Sequence, residues 1–288
     1  MTVPQLTERL RDLAGDYDVI LSDIWGVVHN GLQASADACE ALASYRKGGG
    51  TVILITNAPR PADAVQRTLR RLFVADDVYD AIVSSGDLTR AYISDHRSQA
   101  LFHIGPERDG SLFRDFGVVF ESVERAEYIV CSGLYDDETE NAENYRAILT
   151  QARRRNLMMV CANPDIVVER GERLIFCAGA LAELYESLGG RVLWAGKPHP
   201  PIYEHALTLA AKARGGNAAP TSRVLAIGDS VRTDLAGANR MGLRCLFVTA
   251  GIHAGELGER DNPDTAALAQ LFAAASQPPF AVTPKLRW

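Results

Sequence analysis

The sequence predicts an open α/β fold built on a parallel sheet, with a second α/β unit inserted into it. Strand-like apolar runs alternate with helix-like segments along most of the 288 residues, which is the pattern of β-α-β architecture. Two runs far apart in the chain, Val19-Ile20-Leu21-Ser22-Asp23 and Ala226-Ile227-Gly228-Asp229, each end on a carboxylate. The grain of the pattern also changes between about residues 86 and 178 and then resumes.

In chain order, the first strand is expected at 18–22. Asn30-Gly31 follows as a strong hairpin-turn signal. A helix over 35–47 takes Ser35 as its N-cap and ends at Gly48-Gly49-Gly50. The next strand is 51–55, finishing at Thr56-Asn57, and a helix with Pro61 near its start runs to about Phe73. Residues 81–84 make a short strand. The middle offers strands at 100–104, 117–120, 128–131, 157–162 and 174–177, and helices at 87–95 and 140–155. The first pattern returns with a helix at 179–188, a strand at 192–194 and a helix at 200–213. It ends with a strand at 224–227, a helix from the following loop to Met241 and a strand at 245–248. The Pro-containing tail, 277–288, reads as a loose terminus or a packing arm.

Composition narrows the function classes. The net charge of -6 and the absence of any long basic run give no reason to expect nucleic acid. No apolar stretch reaches the roughly 18 residues that a membrane helix needs. The first residues, Met1 to Arg9, lack a basic segment followed by an apolar one, so no signal peptide is expected. Cys39, Cys131, Cys161, Cys177 and Cys245 are scattered, odd in number and without a CxxC pair. They read as reduced, buried thiols of a cytoplasmic protein.

Carboxylates at the ends of two buried parallel strands can meet at one sheet edge, where open α/β folds bind ligands. Converging there, Asp23 and Asp229 would suit a hard divalent cation, most plausibly Mg²⁺. Two further strand ends carry chemistry: Thr56-Asn57, and Gly196-Lys197-Pro198. A carboxylate, a hydroxyl with backbone amides, a cation and a second carboxylate are the parts of a phosphate-handling site.

Asp23-Ile24-Trp25-Gly26-Val27, Leu54-Ile55-Thr56-Asn57, Gly196-Lys197-Pro198 and Gly228-Asp229 through Asp234 resemble, in this order, the four motifs of the haloacid dehalogenase (HAD) superfamily. The likeness covers nearly the whole chain. An insert of about ninety residues between the second and third motifs is similar to the cap of the class IIA branch, which includes p-nitrophenyl phosphatase-like and phosphoglycolate phosphatases. The resemblance implies a Rossmann-like catalytic core at 1–85 and 179–288, with a cap at 86–178. It also implies a Mg²⁺-dependent phosphatase of small phosphorylated metabolites. Asp23 would attack phosphorus and form an aspartyl-phosphate. Asp23, Asp229 and the main-chain carbonyl of Trp25 would hold Mg²⁺, with Asp234 as a further or alternate ligand. Thr56 and Asn57 would bind phosphate oxygens, and Lys197 would neutralise the transferring group and keep Asp23 ionised. Asn163-Pro164-Asp165 is similar to a cap segment that faces substrate in relatives, so Asn163 and Asp165 are expected to read substrate, although a plain turn remains open. Relatives of this class often dimerise through the cap, which leaves a homodimer open; the sequence itself does not fix the oligomeric state.

The sequence departs from the family at Trp25. Most family phosphatases carry a second Asp there, which protonates the leaving oxygen and then activates water. A Trp can do neither. Four readings stay open: substrates with good leaving groups, such as acyl or aryl phosphates; replacement of the acid by another group, with His29 nearest in sequence; a non-hydrolytic phosphometabolite binder; and a dehalogenase. Dehalogenases ask for no pair like Asp229 and Asp234, so that reading ranks well below the phosphatase.

Overall fold

A computed structural model describes residues 4–170, 173–259 and 262–288. Its contacts divide the chain into two compact units. The first comprises the chain up to Thr56, then Gln66–Val83 and Lys197–Trp288. The second comprises Asn57–Val65 and Ser84–Gly196.

The first unit is built on a seven-stranded sheet. Its spatial order is Gln5–Leu6, Ala281–Thr283, Arg244–Val248, Val224–Gly228, Val19–Asp23, Thr51–Thr56 and Ala81–Ser84. Val19–Asp23 pairs in parallel with Thr51–Thr56 on one side and Val224–Gly228 on the other. All residues of these three strands are buried, which is why they read as continuous apolar runs and not as alternating ones. From Val19–Asp23 the strands step outward to Ala81–Ser84. The opposite side starts with Val224–Gly228 and continues through later strands to Gln5–Leu6 at its outer edge. The order therefore reverses between the Asp23 strand and the Asp229 strand, and the crevice at their carboxyl ends is where such sheets take ligands.

Local chemistry sets the elements that flank this sheet. Ser35 Oγ accepts from Ala38 N and starts the helix Ala36–Lys47, a cap worth about 1 kcal/mol. The helix closes at Gly48, and Gly49 takes φ +93°, where a glycine carries no Cβ penalty. Pro200 opens the helix Pro200–Ala213. Asn30-Gly31 turns as expected: His29 and Ala34 bridge in antiparallel fashion, and Gly31 takes φ +87°. The tail is an arm, because Ala281–Thr283 lies as a strand between Gln5–Leu6 and Arg244–Val248.

The second unit carries a four-stranded sheet in the order Arg191–Trp194, Met158–Cys161, Tyr128–Cys131 and Leu101–Ile104, all parallel. Alternate residues pack on its two faces. Ile129, Cys131, Met159 and Cys161 meet Leu149, Leu181 and Tyr185, while Tyr128, Val130 and Val160 meet Ile93 and Leu112.

Several expectations are corrected here. The strand Arg191–Trp194 and the helix Ala178–Ser187 belong to the second unit, because the strand pairs with Met158–Cys161 and the helix covers that sheet. The pattern therefore resumes in the first unit only at Lys197, whereas 178 was the expected end of the insert. Residues 117–120 form no regular strand; Phe120 makes a single bridge to Leu101. Residues 140–155 hold a 3₁₀ turn at Ala142–Tyr145, capped by Asn141, before the α-helix Arg146–Arg154. Arg173–Phe176 does form a strand, but in an antiparallel pair with Val167–Arg170 outside the parallel sheet.

Candidate active site

Five of the expected site residues collect at the carboxyl edge of the first sheet. Asp23 ends its strand, and Thr56 lies one position beyond Ile55, its register partner. Asp229 follows the strand Val224–Gly228. Asp234 is presented by a π-helical turn at Val231–Leu235, which Ser230 caps through its side chain. Lys197 opens the return into this unit, and the peptide bond to Pro198 is cis. All five side chains are buried.

Lys197 Nζ lies 2.6 Å from Asp23 Oδ1 and 2.6 Å from Asp234 Oδ1. One ammonium thus bridges two carboxylates at 3% exposure. Asp23 Oδ1 also accepts from its neighbour's backbone, Ile24 N, at 2.7 Å. Asp234 Oδ2 accepts from Ser230 N at 3.2 Å. Asp229 Oδ2 accepts from Ile252 N at 2.7 Å. Burial and the nearby Asp234 push the Asp23 carboxyl well above its ordinary range, and Lys197 offsets only part of this.

Asp23, Asp229 and Asp234 each offer an oxygen within 4.8 Å of the others. Three buried carboxylates thus gather at one spot around the Lys197 ammonium. Clustered buried carboxylates repel one another and gain from a cation between them, and an all-oxygen donor set suits Mg²⁺ or Ca²⁺. The residues therefore fit a hard divalent cation. Two glycines keep this corner open: a Cβ on Gly26 or on Gly251 would lie 2.0 Å from Asp229 Oδ2.

Trp25 and His29 lie in the loop after Asp23. Their rings meet edge to face, with centroids 5.1 Å apart. The backbone of Gly31 lies so close to the Trp25 ring that a Cβ there would sit 2.6 Å from it. The indole is thus packed into its own turn. His29 Nδ1 accepts from Gly31 N at 3.0 Å, and burial lowers the imidazole to about 4. His29 is thus a turn histidine whose Nδ1 is already engaged as an acceptor.

The other expected residues, Asn57, Asn163 and Asp165, lie together in the second unit. Asn57 Nδ2 donates to Asp165 Oδ1 at 2.9 Å, and Asn163 Oδ1 accepts from Asp165 N at 3.1 Å. Ser85 Oγ donates to Asn57 Oδ1 at 3.3 Å. Gly196 fits closely here, since a Cβ would meet Ser85 Oγ at 2.1 Å and Asn57 Oδ1 at 2.6 Å.

Two family models match the chain: one for haloacid dehalogenase-like hydrolases over residues 20–119, and a HAD-hydrolase-like one over 194–275. The crystal structure of a hydrolase of the haloacid dehalogenase-like family from Brucella suis 1330 is 46% identical, with a TM-score of 0.86. That match covers 98% of this chain and 100% of the other.

The chain belongs to the haloacid dehalogenase-like hydrolases.

Within that family, the α/β insert between the second and third motifs makes it a class IIA member. Two characterised relatives of this hydrolase are more distant. A D-glycerol 3-phosphate phosphatase of Mycobacterium tuberculosis is 29% identical over 257 residues, covering 85% of this chain and 66% of that protein. The 5'-nucleotidase YutF of Bacillus subtilis is 23% identical over 240 residues, covering 82% and 88%.

Sequence reasoning missed Gly26, Gly251 and Ile252, which shape and hold Asp229. It also missed Tyr203, which is wholly buried beside the Lys197–Asp234 pair and donates to Thr233 O at 3.5 Å. The signal for Gly251 was present: like Gly196, it follows a strand end. Tyr203 left no signal, because an aromatic residue on a helix reads as core.

Proposed function

We propose that this hydrolase is a Mg²⁺-dependent phosphatase that cleaves a small phosphorylated metabolite through an aspartyl-phosphate on Asp23. The observation that carries the reading is the Lys197 ammonium set between Asp23 and Asp234, with Asp229 alongside. A binding protein would have no use for a buried nucleophile held against its own charge. Both named relatives above act on phosphate esters by their names.

Asp23 Oδ1 is taken by Lys197 and Ile24 N, so Oδ2 is the oxygen available to attack phosphorus. Lys197 draws Asp23 part of the way back toward its anionic form and neutralises charge that builds on the transferring group. The Thr56 hydroxyl and Asn57 hold phosphate oxygens. Asp23, Asp229, Asp234 and the Trp25 carbonyl would hold the cation, which when bound screens the repulsion between nucleophile and phosphate. Asn163 and Asp165 read the organic part of the substrate. The same reading has the protein act in the cytoplasm without nucleic acid or membrane partners, and leaves a homodimer open. No described helix is long and apolar enough to cross a membrane.

A narrower reading has its own support. With Trp25 packed into its turn and His29 committed, substrates that leave without a proton are favoured, so acyl and aryl phosphates come first. Hydrolysis of p-nitrophenyl phosphate and of alkyl phosphates, with and without Mg²⁺, tests both readings. Metal-dependent turnover lost in Asp23→Asn supports the phosphatase. A rate that falls steeply from aryl to alkyl esters supports the narrower substrate class. If no phosphate is released from any ester or acyl phosphate while phosphometabolites still bind, the protein is a binder.

A further inference from the structure

We propose that hydrolysis of the aspartyl-phosphate, and not its formation, limits turnover on substrates with good leaving groups, so that the covalent phosphoenzyme accumulates. This rests on the phosphatase reading above. In the first step, Asp23 Oδ2 bonds to phosphorus as the bond to the leaving oxygen breaks. An aryl or acyl leaving group departs with the electron pair and needs no proton. In the second step, a water oxygen bonds to phosphorus and the Oδ2–P bond breaks, which regenerates the carboxylate. That water must lose a proton whatever the first substrate was. A good leaving group therefore relieves the first step and leaves the second untouched.

Among the described residues, the groups on this sheet edge that could take the proton are already engaged. Asp23 is the phosphorylated residue itself. Asp234 pairs with Lys197 and accepts from Ser230 N. Asp229 accepts from Ile252 N and is one of the three oxygens gathered for a cation. Ile24 and Gly26, the neighbours of Trp25, bring no proton carrier, and the Trp25 ring packs on Gly31. The two imidazoles of the adjoining loops are also committed. His29 Nδ1 accepts from Gly31 N. His253 meets Glu256 Oε1 through Nδ1 at 2.8 Å and accepts from Val231 N through Nε2 at 3.4 Å. Water is left to pass its proton to solvent, which forgoes the roughly 10²–10⁴-fold that a positioned base supplies.

The test is rapid-quench kinetics with p-nitrophenyl phosphate and acetyl phosphate, with Mg²⁺ present. The expected result is a burst of leaving group approaching about one per site, acid-stable label on the protein, and a steady-state rate nearly independent of the leaving group. Hydroxylamine, which attacks the carbonyl carbon of acyl phosphates, should inactivate wild type only while substrate is present. Trp25→Asp should abolish the burst and raise the steady-state rate by about 10²-fold or more. Wild-type turnover with no burst, no label and a rate set by the leaving group would overturn the inference and leave the phosphatase reading standing. Absence of both turnover and label on every substrate would remove the phosphatase reading, and this inference with it.

Discussion

Replacing Lys197 with Met tests the electrostatic logic of the site most directly. The ammonium is 3% exposed and touches two carboxylate oxygens at 2.6 Å. At an effective dielectric constant near 20, each contact is worth about 6 kcal/mol of gross Coulomb attraction, most of it cancelled by desolvation. What remains on truncation is the cost of leaving two buried carboxylates uncompensated. Breaking a buried pair costs about 3–5 kcal/mol, so the cation-free Lys197→Met protein should lose about that much in urea unfolding. Cation binding should respond with the opposite sign. Lys197 competes for oxygens of Asp23 and Asp234, so its removal should tighten Mg²⁺ binding by about tenfold or more, which is about 1.4 kcal/mol. Saturating Mg²⁺ should then narrow the stability gap by about 1.4 kcal/mol, since a concentration that adds about 2.7 kcal/mol to wild type at 100 times its Kd adds about 4.1 to a mutant binding tenfold tighter. Catalysis should not recover, because the charge on the transferring group has lost its partner, a loss of about 10²–10³ in kcat. The measurements are urea unfolding with and without Mg²⁺, calorimetric Mg²⁺ titration and turnover. A destabilisation below about 1 kcal/mol, or weaker Mg²⁺ binding, would refute the reasoning.

Other outcomes follow from the same geometry. Asp23→Asn should abolish turnover and raise the stability of the cation-free protein, because it removes one of three clustered charges while Asn keeps an oxygen for Ile24 N; thermal unfolding without Mg²⁺ checks the sign. Gly251→Ala places a methyl 2.0 Å from Asp229 Oδ2 and should weaken Mg²⁺ binding at least tenfold while circular dichroism stays native. His29, lowered from 6.5 to about 4 by burial, adds stability that is complete above pH 6.5 and lost as pH falls through about 4. The size is about 3 kcal/mol, and His29→Gln should flatten that part of the urea stability profile. His103 in the second unit carries the same sign, so some slope should remain.

The candidate site was legible because its parts sit at the ends of buried strands, where apolar run and polar terminus stand side by side in the sequence. Asp23, Thr56 and Asp229 each stand out in this way. Lys197 was marked by Gly196 and Pro198, but the strand before it was assigned to the wrong sheet. Residues 192–194 look like any short parallel strand, and which sheet accepts them depends on pairing with Met158–Cys161, a non-local fact. Residues 117–120 failed for a related reason: their apolar content serves packing, with Phe120 against Phe113, and not a ladder. The backbone contacts to Asp229 from Gly251 and Ile252 could not be read, because a backbone donor has no letter of its own. The bridging of Asp23 and Asp234 by Lys197 depends on side-chain reach across three loops, which spacing does not encode.

The pairing of Val19–Asp23 with Val224–Gly228 also constrains how the protein is made. The central strand leaves the ribosome early, and one of its two neighbours follows roughly two hundred residues later. At about 5–20 residues per second this delay is roughly 10–40 s. Through that interval, a strand buried on both faces in the finished protein has one edge unpaired and open to aggregation. The parallel sheet of the second unit has no such delay, since its strands, Leu101–Ile104 through Arg191–Trp194, are complete before Val224 is synthesised. The nascent chain can therefore carry a finished second unit while Asp23 still waits for the strand that will hold Asp229 beside it.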